Sequence, residues 1–315
     1  MRAPAFWWNK RVGWKSWILA PLTLIYHRGV SRRLKLPGER VNARVICVGN
    51  LTVGGNGKTP LVIALAERLI AQGKAVWVVS RGYGGRTLGP HRVDAGRDAA
   101  DEVGDEPLLI AQFVPVIVAK DRLAGCQAAV AAGADVILLD DGFQDPSVVK
   151  DASVLVIDAG MGFGNGQLIP AGPLREPVET GLARADLVVV VGKGEVEVPG
   201  QVLRARLQPL DTGMDWQGVR VFPFAGIGRP EKFFATLQEL GAEIVDAGSL
   251  GDHEPISKLL LQRLQRRADE LDAQLVTTEK DMVRIAPEHR GDLLVLPVRL
   301  VPDDWGPLDA LLAEE

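Results

Sequence analysis

One apolar run that leads into a glycine-rich turn constrains the fold of this chain more than any other stretch of its sequence. The run is RVICVG at residues 44–49, and the turn NLTVGGNG at residues 50–57 precedes the helical run KTPLVIALAERL. In a strand, turn and helix of this order, the first amides of the helix lie at the end of the strand and can bind phosphate. The segment therefore predicts a nucleotide phosphate-binding loop at the edge of a parallel sheet.

Each residue type in this turn has a chemical reason to be there. The glycines allow backbone N–H groups to turn toward phosphate oxygens, Lys58 is expected to reach the β and γ phosphates, and Thr59 to supply a magnesium ligand. The usual loop begins with a glycine at the position of Thr52, so the turn must start differently here. The alternative is a purely structural turn. The residues predicted to contact the nucleotide are Thr52, Val53, Gly54, Gly55, Asn56, Gly57, Lys58 and Thr59.

Beyond residue 44 the sequence alternates short β-branched runs with helical ones. The β-branched runs include AVWVVS, PVIVAK, ADVILLDD, SVLVID and DLVVVVG. Continuous apolar strands separated by helices are typical of a parallel sheet covered on both faces. The predicted fold class is α/β, with a P-loop NTPase-like, doubly wound and mostly parallel sheet.

The composition changes after Gly192, which indicates a second unit. Residues 193–219 are polar and rich in turn residues, and a smaller α/β unit begins at RVFPFAGIG. Its first helix, PEKFFATLQELG, has Pro230 in the first turn and Gly241 at the end. The predicted divisions are an N-terminal segment (1–43), a P-loop kinase core (44–192), a strand-rich connector (193–219) and a smaller C-terminal α/β lobe (220–315).

The N-terminal segment is basic and rich in tryptophan. Residues 1–44 carry ten Lys and Arg residues against the single acid Glu39, and they hold four of the seven tryptophans. On a helical wheel one face collects Trp7, Trp14, Ile18, Leu22 and Ile25, with Lys10, Lys15 and Trp17 at its flanks. The pattern predicts a helix that lies on a membrane surface, and its apolar run is too short to cross one. The alternative is that the tryptophans plug the core.

Composition excludes several other classes of protein. Hydrophobic residues make up 47% of the chain and charged residues 24%, which is typical of a soluble, core-forming protein. Cys47 and Cys126 have neither metal-ligand nor disulfide spacing, which fits a reducing cytoplasm. Because no nucleic-acid module accompanies the basic residues, we expect no nucleic-acid partner, and no protein partner is inferred.

An acidic pair supports the nucleotide site. VILLDDGFQ, residues 136–144, is an apolar strand that ends in Asp140 and Asp141. The carboxyl end of such a strand is where a magnesium-organising carboxylate belongs. The pattern favours Asp140 for that role, whereas Asp141 is available to bind a water or the incoming hydroxyl, or to form the turn before Gly142.

Phosphoryl transfer also needs a group that positions the attacking hydroxyl and cations that offset the charge of the transferred group. Short motifs supply the candidates, which are Asp105 and Glu106 in GDEP, Lys120 and Arg122 in KDR, Arg175 and Glu176 in GPLRE, and His253 in GDHEP. Each motif alone is weak, because acids at helix starts and arginines on loops are usually structural.

Taken together and in order, the motifs resemble the tetraacyldisaccharide 4'-kinase family, the lipid A 4'-kinases of Gram-negative bacteria. The matching motifs are GNLTVGGNGKTP, SRGYGGR, GDEPLL, KDR, LLDDGFQ, GQLIPAGPLREP, FAGIGRPEKFF, GDH and TTEKDMV. The resemblance extends from the N-terminal helix to about residue 285. The family has Thr or Ser before its glycine pair, which accounts for Thr52.

The resemblance implies a kinase that uses ATP and Mg²⁺ to phosphorylate the 4'-hydroxyl of a tetraacylated glucosamine disaccharide 1-phosphate. This glycolipid is a precursor of lipid A. The resemblance also implies a peripheral enzyme at the cytoplasmic face of the inner membrane, with its N-terminal helix in the lipid. Its two lobes, joined by a strand ribbon, would close over ATP.

Residue roles follow from the same resemblance. Asp105 would be the catalytic base, paired with His253, although EPIS after that histidine departs from the family pattern. The other residues assigned to catalysis hold the metal or face the phosphates, and they are Lys58, Asp140, Asp141, Arg122 and Arg175. The metal is assigned to Thr59, Glu176 and Asp140, and the lipid headgroup to Arg81 and Tyr83.

Two other functions remain open from the sequence. A membrane-associated ATPase switch would also combine a phosphate loop with a basic amphipathic segment, but such proteins carry a second lysine at the start of the loop, and none is present here. A soluble kinase of a small metabolite would share the core without needing the tryptophan-rich N-terminus. Phosphate transfer to a glycolipid would separate the three.

Overall fold

Strands and helices alternate along most of the chain. The structure is a computed structural model, and it describes residues 3–9, 11–55, 57–251, 255–291 and 293–313. The α-helices are α1 (Trp14–Leu34), α2 (Lys58–Ala71), α3 (Ala100–Val103), α4 (Asp105–Ile110), α5 (Arg122–Ala131), α6 (Val178–Leu182), α7 (Pro230–Glu239), α8 (Lys258–Glu270), α9 (Glu279–Met282) and α10 (Gly306–Ala313). The strands are β1 (Arg44–Gly49), β2 (Val76–Ser80), β3 (His91–Arg92), β4 (Val116–Val118), β5 (Val136–Asp140), β6 (Ala152–Asp158), β7 (Leu187–Val191), β8 (Val202–Pro209), β9 (Arg220–Ala225), β10 (Glu243–Ile244), β11 (Gly248–Ser249), β12 (Gln274–Thr278), β13 (Leu294–Leu296) and β14 (Val298–Pro302).

The larger of the two sheets is built around β1, the strand that leads into the glycine-rich turn. Within the described residues its strand order is β14-β8-β7-β6-β1-β5-β2-β4-β3. All neighbours from β8 to β4 pair in parallel, whereas β14 and β3 pair antiparallel at the two edges. This is the mostly parallel, doubly wound sheet that the sequence predicts. The carboxyl ends of β1, β2, β5 and β6 therefore lie side by side along one edge, called here the carboxyl edge.

Both faces of this sheet are covered, which explains the continuous apolar runs. One face packs Ile46 and Val48 of β1 against Leu61 and Leu65 of α2. The opposite face packs Cys47, the residue between them, with α5. Because side chains alternate across a strand, a strand with apolar residues on both faces needs helices on both sides.

A smaller parallel sheet forms the second lobe. Its strand order in the described residues is β10-β9-β12-β13, and β11 also pairs with β9. Phe233 and Leu237 of α7 pack on one face of this sheet, and Phe224 with Ala268 of α8 on the other. The predicted helix that begins at Pro230 is α7, and it ends two residues before Gly241.

The C-terminal segment differs from the predicted division at residue 220. The strand β14 pairs with β8 in the large sheet, and β8 itself lies within the predicted connector. Leu300, Leu308 and Leu312 are buried in the core of the large sheet. Arg68 of α2 also pairs with Asp309 of α10. The chain therefore returns to the first lobe after residue 297, which an apolar run such as LLVLPVRL does not reveal.

The N-terminal segment is not one continuous helix. Ala5–Trp8 form a short 3-10 helix, and α1 begins only at Trp14, so Trp7 does not share the helix face predicted for it. The Trp7 indole donates a hydrogen bond to the carbonyl oxygen of Pro170 at 3.1 Å. Within the described part of the chain, no helix has both the length and the apolar character that crossing a membrane requires.

We predict that Leu308→Ala destabilises the large sheet by about 2–5 kcal/mol, because it leaves a cavity in a fully buried core position. Denaturant unfolding measures the loss. Leu259→Ala is the matched control, since this leucine is 55% exposed on α8, and we expect a change within about 0.5 kcal/mol. Equal losses in the two variants would contradict the placement of α10 on the large sheet.

Candidate active site

The glycine-rich turn has the backbone shape of an anion-binding loop. Gly54 and Gly57 have φ angles of 116° and 87°, which side chains other than glycine rarely adopt. Gly57 is the N-cap of α2, and Lys58 and Thr59 are the buried first residues of that helix. The positive end of α2 and its first N–H groups are thus directed at the carboxyl edge, where phosphate would bind.

Thr52 does not need to be a glycine in this fold. It is buried and forms an antiparallel bridge with Leu174. Beside it, the Val53 amide donates to the Pro173 carbonyl at 2.9 Å, and the Arg175 amide donates to the Leu51 carbonyl at 2.7 Å. Residue 52 therefore has extended backbone, which a β-branched residue accepts readily.

Asp140 is a buried carboxylic acid at the end of β5. Its side chain accepts a hydrogen bond from the Ser80 hydroxyl of β2 at 3.0 Å. Its other oxygen, Oδ1, has no hydrogen-bond partner among the described residues. Burial, reinforced by the negative charges of Glu106 and Asp141, raises the pKa of Asp140 to about 7. The residue is therefore poised to ionise when a positive charge arrives.

Asp141, the next residue, is held in the opposite state. Its backbone has a φ of 54°, a left-handed conformation that residues other than glycine adopt rarely. It accepts a hydrogen bond from Arg175 at 2.8 Å and lies 3.7 Å from the Lys58 ammonium. Burial opposes its ionisation, but the charges of Lys58 and Arg175 outweigh burial and lower the pKa of Asp141 below its ordinary range. The acidic pair thus combines one fixed anion with one titratable group.

Two residues predicted to contact the phosphates or the metal are engaged elsewhere. Arg122 donates to Asp145 at 2.8 Å and to the carbonyl oxygen of Asp141 at 2.6 Å. Both carboxylate oxygens of Glu176 accept from Arg184, at 2.6 and 2.5 Å. These contacts favour supporting roles, in which the two residues fix the loops that carry Asp141 and Arg175.

Asp105 lies where the second lobe contacts the first. Asp105 is buried at the start of α4. The Lys280 ammonium of α9 lies 3.8 Å from the carboxylate of Asp105 and 3.0 Å from that of Glu106. Its predicted partner His253 lies outside the described residues. The structure therefore brings Asp105 next to the second lobe but does not test the pairing with that histidine.

The SRGYGGR motif forms a loop beside the Asp105 turn. Lys120 fixes the loop by donating to the carbonyl oxygens of Gly82 at 3.0 Å and Gly85 at 3.2 Å. A Cβ atom at Gly104 would lie 2.8 Å from the Tyr83 carbonyl oxygen, so a glycine is needed there. Arg81 and Tyr83 are exposed at this position, and their predicted contact with a lipid headgroup remains a prediction.

Sequence comparison identifies the family to which this arrangement belongs. The family described as tetraacyldisaccharide-1-P 4'-kinase matches residues 15–315. The chain is 50% identical over 323 residues to the tetraacyldisaccharide 4'-kinase of Jannaschia sp. (strain CCS1), covering 98% of each chain. It is 52% identical over 326 residues to that of Dinoroseobacter shibae, covering 99% of this chain and 97% of the relative.

This chain belongs to the tetraacyldisaccharide-1-P 4'-kinase family. The crystal structure of LpxK from Aquifex aeolicus in complex with ATP has the same fold, with a TM-score of 0.78 and 26% identity. The match covers 94% of this chain and 98% of that one. The family, the fold class and the kinase activity expected from the motifs are confirmed.

Two residues at the carboxyl edge, Gln144 and Ser80, make contacts that the sequence did not predict. Gln144 lies within the LLDDGFQ motif, and its amide donates to the Asn50 carbonyl and to Glu176, both at 2.9 Å. It thereby links the phosphate loop to the loop of Glu176. Ser80 is the last residue of the run AVWVVS, and its hydroxyl donates to Asp140. No sequence pattern distinguishes this serine from any other residue at the end of a strand.

The second lobe also contacts the carboxyl end of β6, the strand beside β1 in the large sheet. Arg229 and Lys232, which flank Pro230 at the start of α7, both pair with Asp158 at the end of β6, Lys232 at 3.0 Å. Burial, followed by the charge of Arg229, lowers the pKa of Lys232 to about 8. The FAGIGRPEKFF motif is part of the family resemblance, but nothing in its local sequence indicates that its cations pair with Asp158.

The raised pKa of Asp140 predicts a pH-dependent stability for the ligand-free protein. The folded state binds the proton of this carboxyl more tightly than the unfolded chain, whose value is near 3.8. Stability is therefore lost as the pH rises from about 4 to 7, and the full loss persists above pH 7. We expect Asp140→Asn to raise the melting temperature at pH 8 and to change it little at pH 4.

Asp145→Asn is the matched control, with the opposite sign. Burial opposes ionisation of Asp145, but hydrogen bonds from Ser147 and the charge of Arg122 lower its pKa to about 2. Its ionised form therefore contributes stability above about pH 4, so Asp145→Asn should lower the melting temperature at pH 8. A decrease at pH 8 in both variants would contradict the buried, uncompensated state of Asp140.

Proposed function

We propose that this kinase transfers the γ-phosphoryl group of ATP to the 4'-hydroxyl of a tetraacylated glucosamine disaccharide 1-phosphate, a lipid A precursor. The proposal rests on three elements that lie close together at the carboxyl edge, and on a family that is named for this reaction. These elements are the phosphate loop, the acidic pair and the Asp105 turn.

Magnesium fits the residues beside the phosphate loop. Thr59 is the second residue of α2, and Asp140 Oδ1 is a buried oxygen with no partner in the described chain. Mg²⁺ is usually held by one or two carboxylates together with substrate phosphates. The described residues contain no group of three or more His, Cys, Asp or Glu side chains that could hold a metal ion. We propose Thr59 and Asp140 as its ligands, and when bound it would offset charge on the β and γ phosphates.

The remaining groups divide the work of phosphoryl transfer. Lys58 offsets negative charge on the transferred group in a site that is shielded from water. Arg175 holds Asp141, which in turn lies beside Lys58 and orients it. Asp105 is proposed to take the proton of the acceptor hydroxyl with the help of His253, since an alcohol is a poor nucleophile until that proton is accepted.

The helix α1 supports contact with a membrane surface. Its protein-facing side includes the buried Ser16, which accepts a hydrogen bond from Asn165 at 3.0 Å. Its outward side is apolar and half or more exposed at Trp14, Trp17, Ile18, Leu22, Leu24 and Ile25. A helix that turns its polar side toward the protein and its apolar side outward is suited to a lipid interface. The core-plug alternative is not supported for Trp14 or Trp17.

The same helix runs beside the carboxyl edge. Arg33, near its end, lies 3.6 Å from Asp145, the partner of Arg122. Burial raises the pKa of Tyr26, on which the charges of Arg175 and Glu176 also act. A membrane contact through α1 would therefore bring the phosphate loop close to a headgroup, at the cytoplasmic face of the inner membrane where ATP is present.

The deciding experiment is transfer of labelled phosphate from ATP to the tetraacylated disaccharide 1-phosphate, with and without Mg²⁺. We predict transfer that requires Mg²⁺ and falls at least about a hundredfold in Lys58→Ala, because the ammonium group stabilises charge on the phosphates. Lys74→Ala, at an exposed lysine just after α2, is the control and should retain full activity. ATP hydrolysis on vesicles without acceptor would favour the switch ATPase, and transfer to a small metabolite alone would favour the soluble kinase.

The membrane contact is tested by sedimentation with anionic phospholipid vesicles. We expect the pair Ile18→Ser and Ile25→Ser to weaken partitioning by at least about a hundredfold, since burying each isoleucine contributes about 1.5–3 kcal/mol. Leu259→Ser, an exposed leucine on the second lobe, should leave sedimentation unchanged. ATP binding should persist in all variants. Full sedimentation of the double variant would mean that another surface contacts the membrane.

A further inference from the structure

Lys280 of the second lobe reaches the Asp105 turn of the first. Lys280 is the second residue of α9, and its ammonium lies 3.0 Å from Glu106 Oε1 and 3.8 Å from Asp105 Oδ2. Its side chain is 22% exposed, so the contact is largely shielded from water. Shielded ion pairs are much less screened than pairs on an open surface.

The helix that carries Lys280 is firmly held. Glu279, just before it, pairs with Arg299 at 3.0 Å and accepts the Val298 amide at 3.0 Å. Asp281, just after it, is fully buried and accepts hydrogen bonds from Thr278 and Gly226. Glu279 thus ties α9 to β14 of the large sheet, and Asp281 ties it to the loop that follows β9 of the small sheet, so the contacts on either side of Lys280 hold the helix in place.

Lys280 is a cation placed where negative charge accumulates. Asp140 and Asp141 lie at the carboxyl edge, and the negative charge of Glu106, next to Asp105, raises the pKa of Asp140. A nucleotide polyphosphate would add further negative charge there. Without a cation at this position, the Asp105 turn would be repelled by its neighbours and by the arriving phosphates.

We propose that Lys280 is a positioning residue, whose ammonium group holds the Asp105–Glu106 turn in place and favours the ionised Asp105 carboxylate. The inference rests on the proposed function, because that function makes Asp105 the base. It adds that the second lobe sets the position and charge state of a base carried by the first. Separation of the lobes would remove this cation, so proton acceptance would be coupled to their contact.

The test compares Lys280→Met with Lys280→Arg, in transfer to the glycolipid across a range of pH. We expect Lys280→Met to lower kcat by about ten- to hundredfold, with little change in KM for ATP, because a base out of position slows the chemical step. The acidic limb of its pH profile should move upward by about one pH unit, since an ionised carboxylate loses a neighbouring positive charge. Lys280→Arg, which keeps the charge, should restore the wild-type limb.

Arg299→Gln separates the charge of Lys280 from the stability of α9. It removes the neighbouring ion pair with Glu279 and leaves Lys280 intact. We expect a wild-type pH profile in this variant, even if its melting temperature falls. The same upward shift in Arg299→Gln and Lys280→Met would overturn the proposal, because the effect would then come from helix placement. An unshifted limb in Lys280→Met would overturn it as well.

Amide hydrogen exchange at residues 105–111 provides a readout that does not depend on the reaction. Lys280→Met should accelerate exchange there relative to the wild type, and Lys280→Arg should not. If the wild-type protein transfers no phosphate to the glycolipid, the proposed function fails, and exchange still decides whether Lys280 holds the turn. Wild-type exchange in Lys280→Met overturns the inference in either case.

Discussion

The carboxyl edge of the large sheet depends on one costly arrangement, a carboxyl group buried at the end of a central strand. Asp140 receives a hydrogen bond from Ser80, yet its Oδ1 has no partner in the described chain. Such a group is tolerated because it can stay protonated near neutral pH. Its raised pKa reflects the free-energy cost of ionising a buried carboxyl group. The strands on either side, β1 and β2, keep this acid in place, so the fold maintains a buried carboxyl group whose ionisation is unfavourable.

The surrounding charges balance this acid. Asp141 is ionised because Lys58 and Arg175 flank it, and Arg122 fixes the turn through the Asp141 carbonyl and Asp145. A phosphate loop supplies amides and one lysine, but the acids around it require further cations. In this family member they come from three separate segments of the first lobe and from the second lobe, whose cations pair with Asp158 and with the Asp105 turn.

The two lobes and the N-terminal helix therefore converge on the same edge. Lys280 contacts the Asp105 turn, Arg229 and Lys232 contact Asp158, and α1 lies beside Asp145. This convergence gives a physical reason for the unusual combination of a nucleotide loop with an outward-facing apolar helix. Under the proposed function, a lipid acceptor cannot leave the membrane cheaply, so the edge that binds the nucleotide would have to lie close to the proposed membrane contact of α1.

Local sequence determined the elements, the phosphate loop and the family, because periodicity, glycine placement and strand–turn–helix order act over a few residues. It placed Lys58 and the acidic pair at the same edge of the sheet, and Lys58 lies 3.7 Å from Asp141. Only the tertiary structure decided the pairings between distant segments. These include Arg122 with Asp145, Glu176 with Arg184, Lys280 with the Asp105 turn, and β14 with the large sheet. An ion pair or a sheet edge has no sequence period, since its partners are selected by the packing of remote elements rather than by their own neighbours.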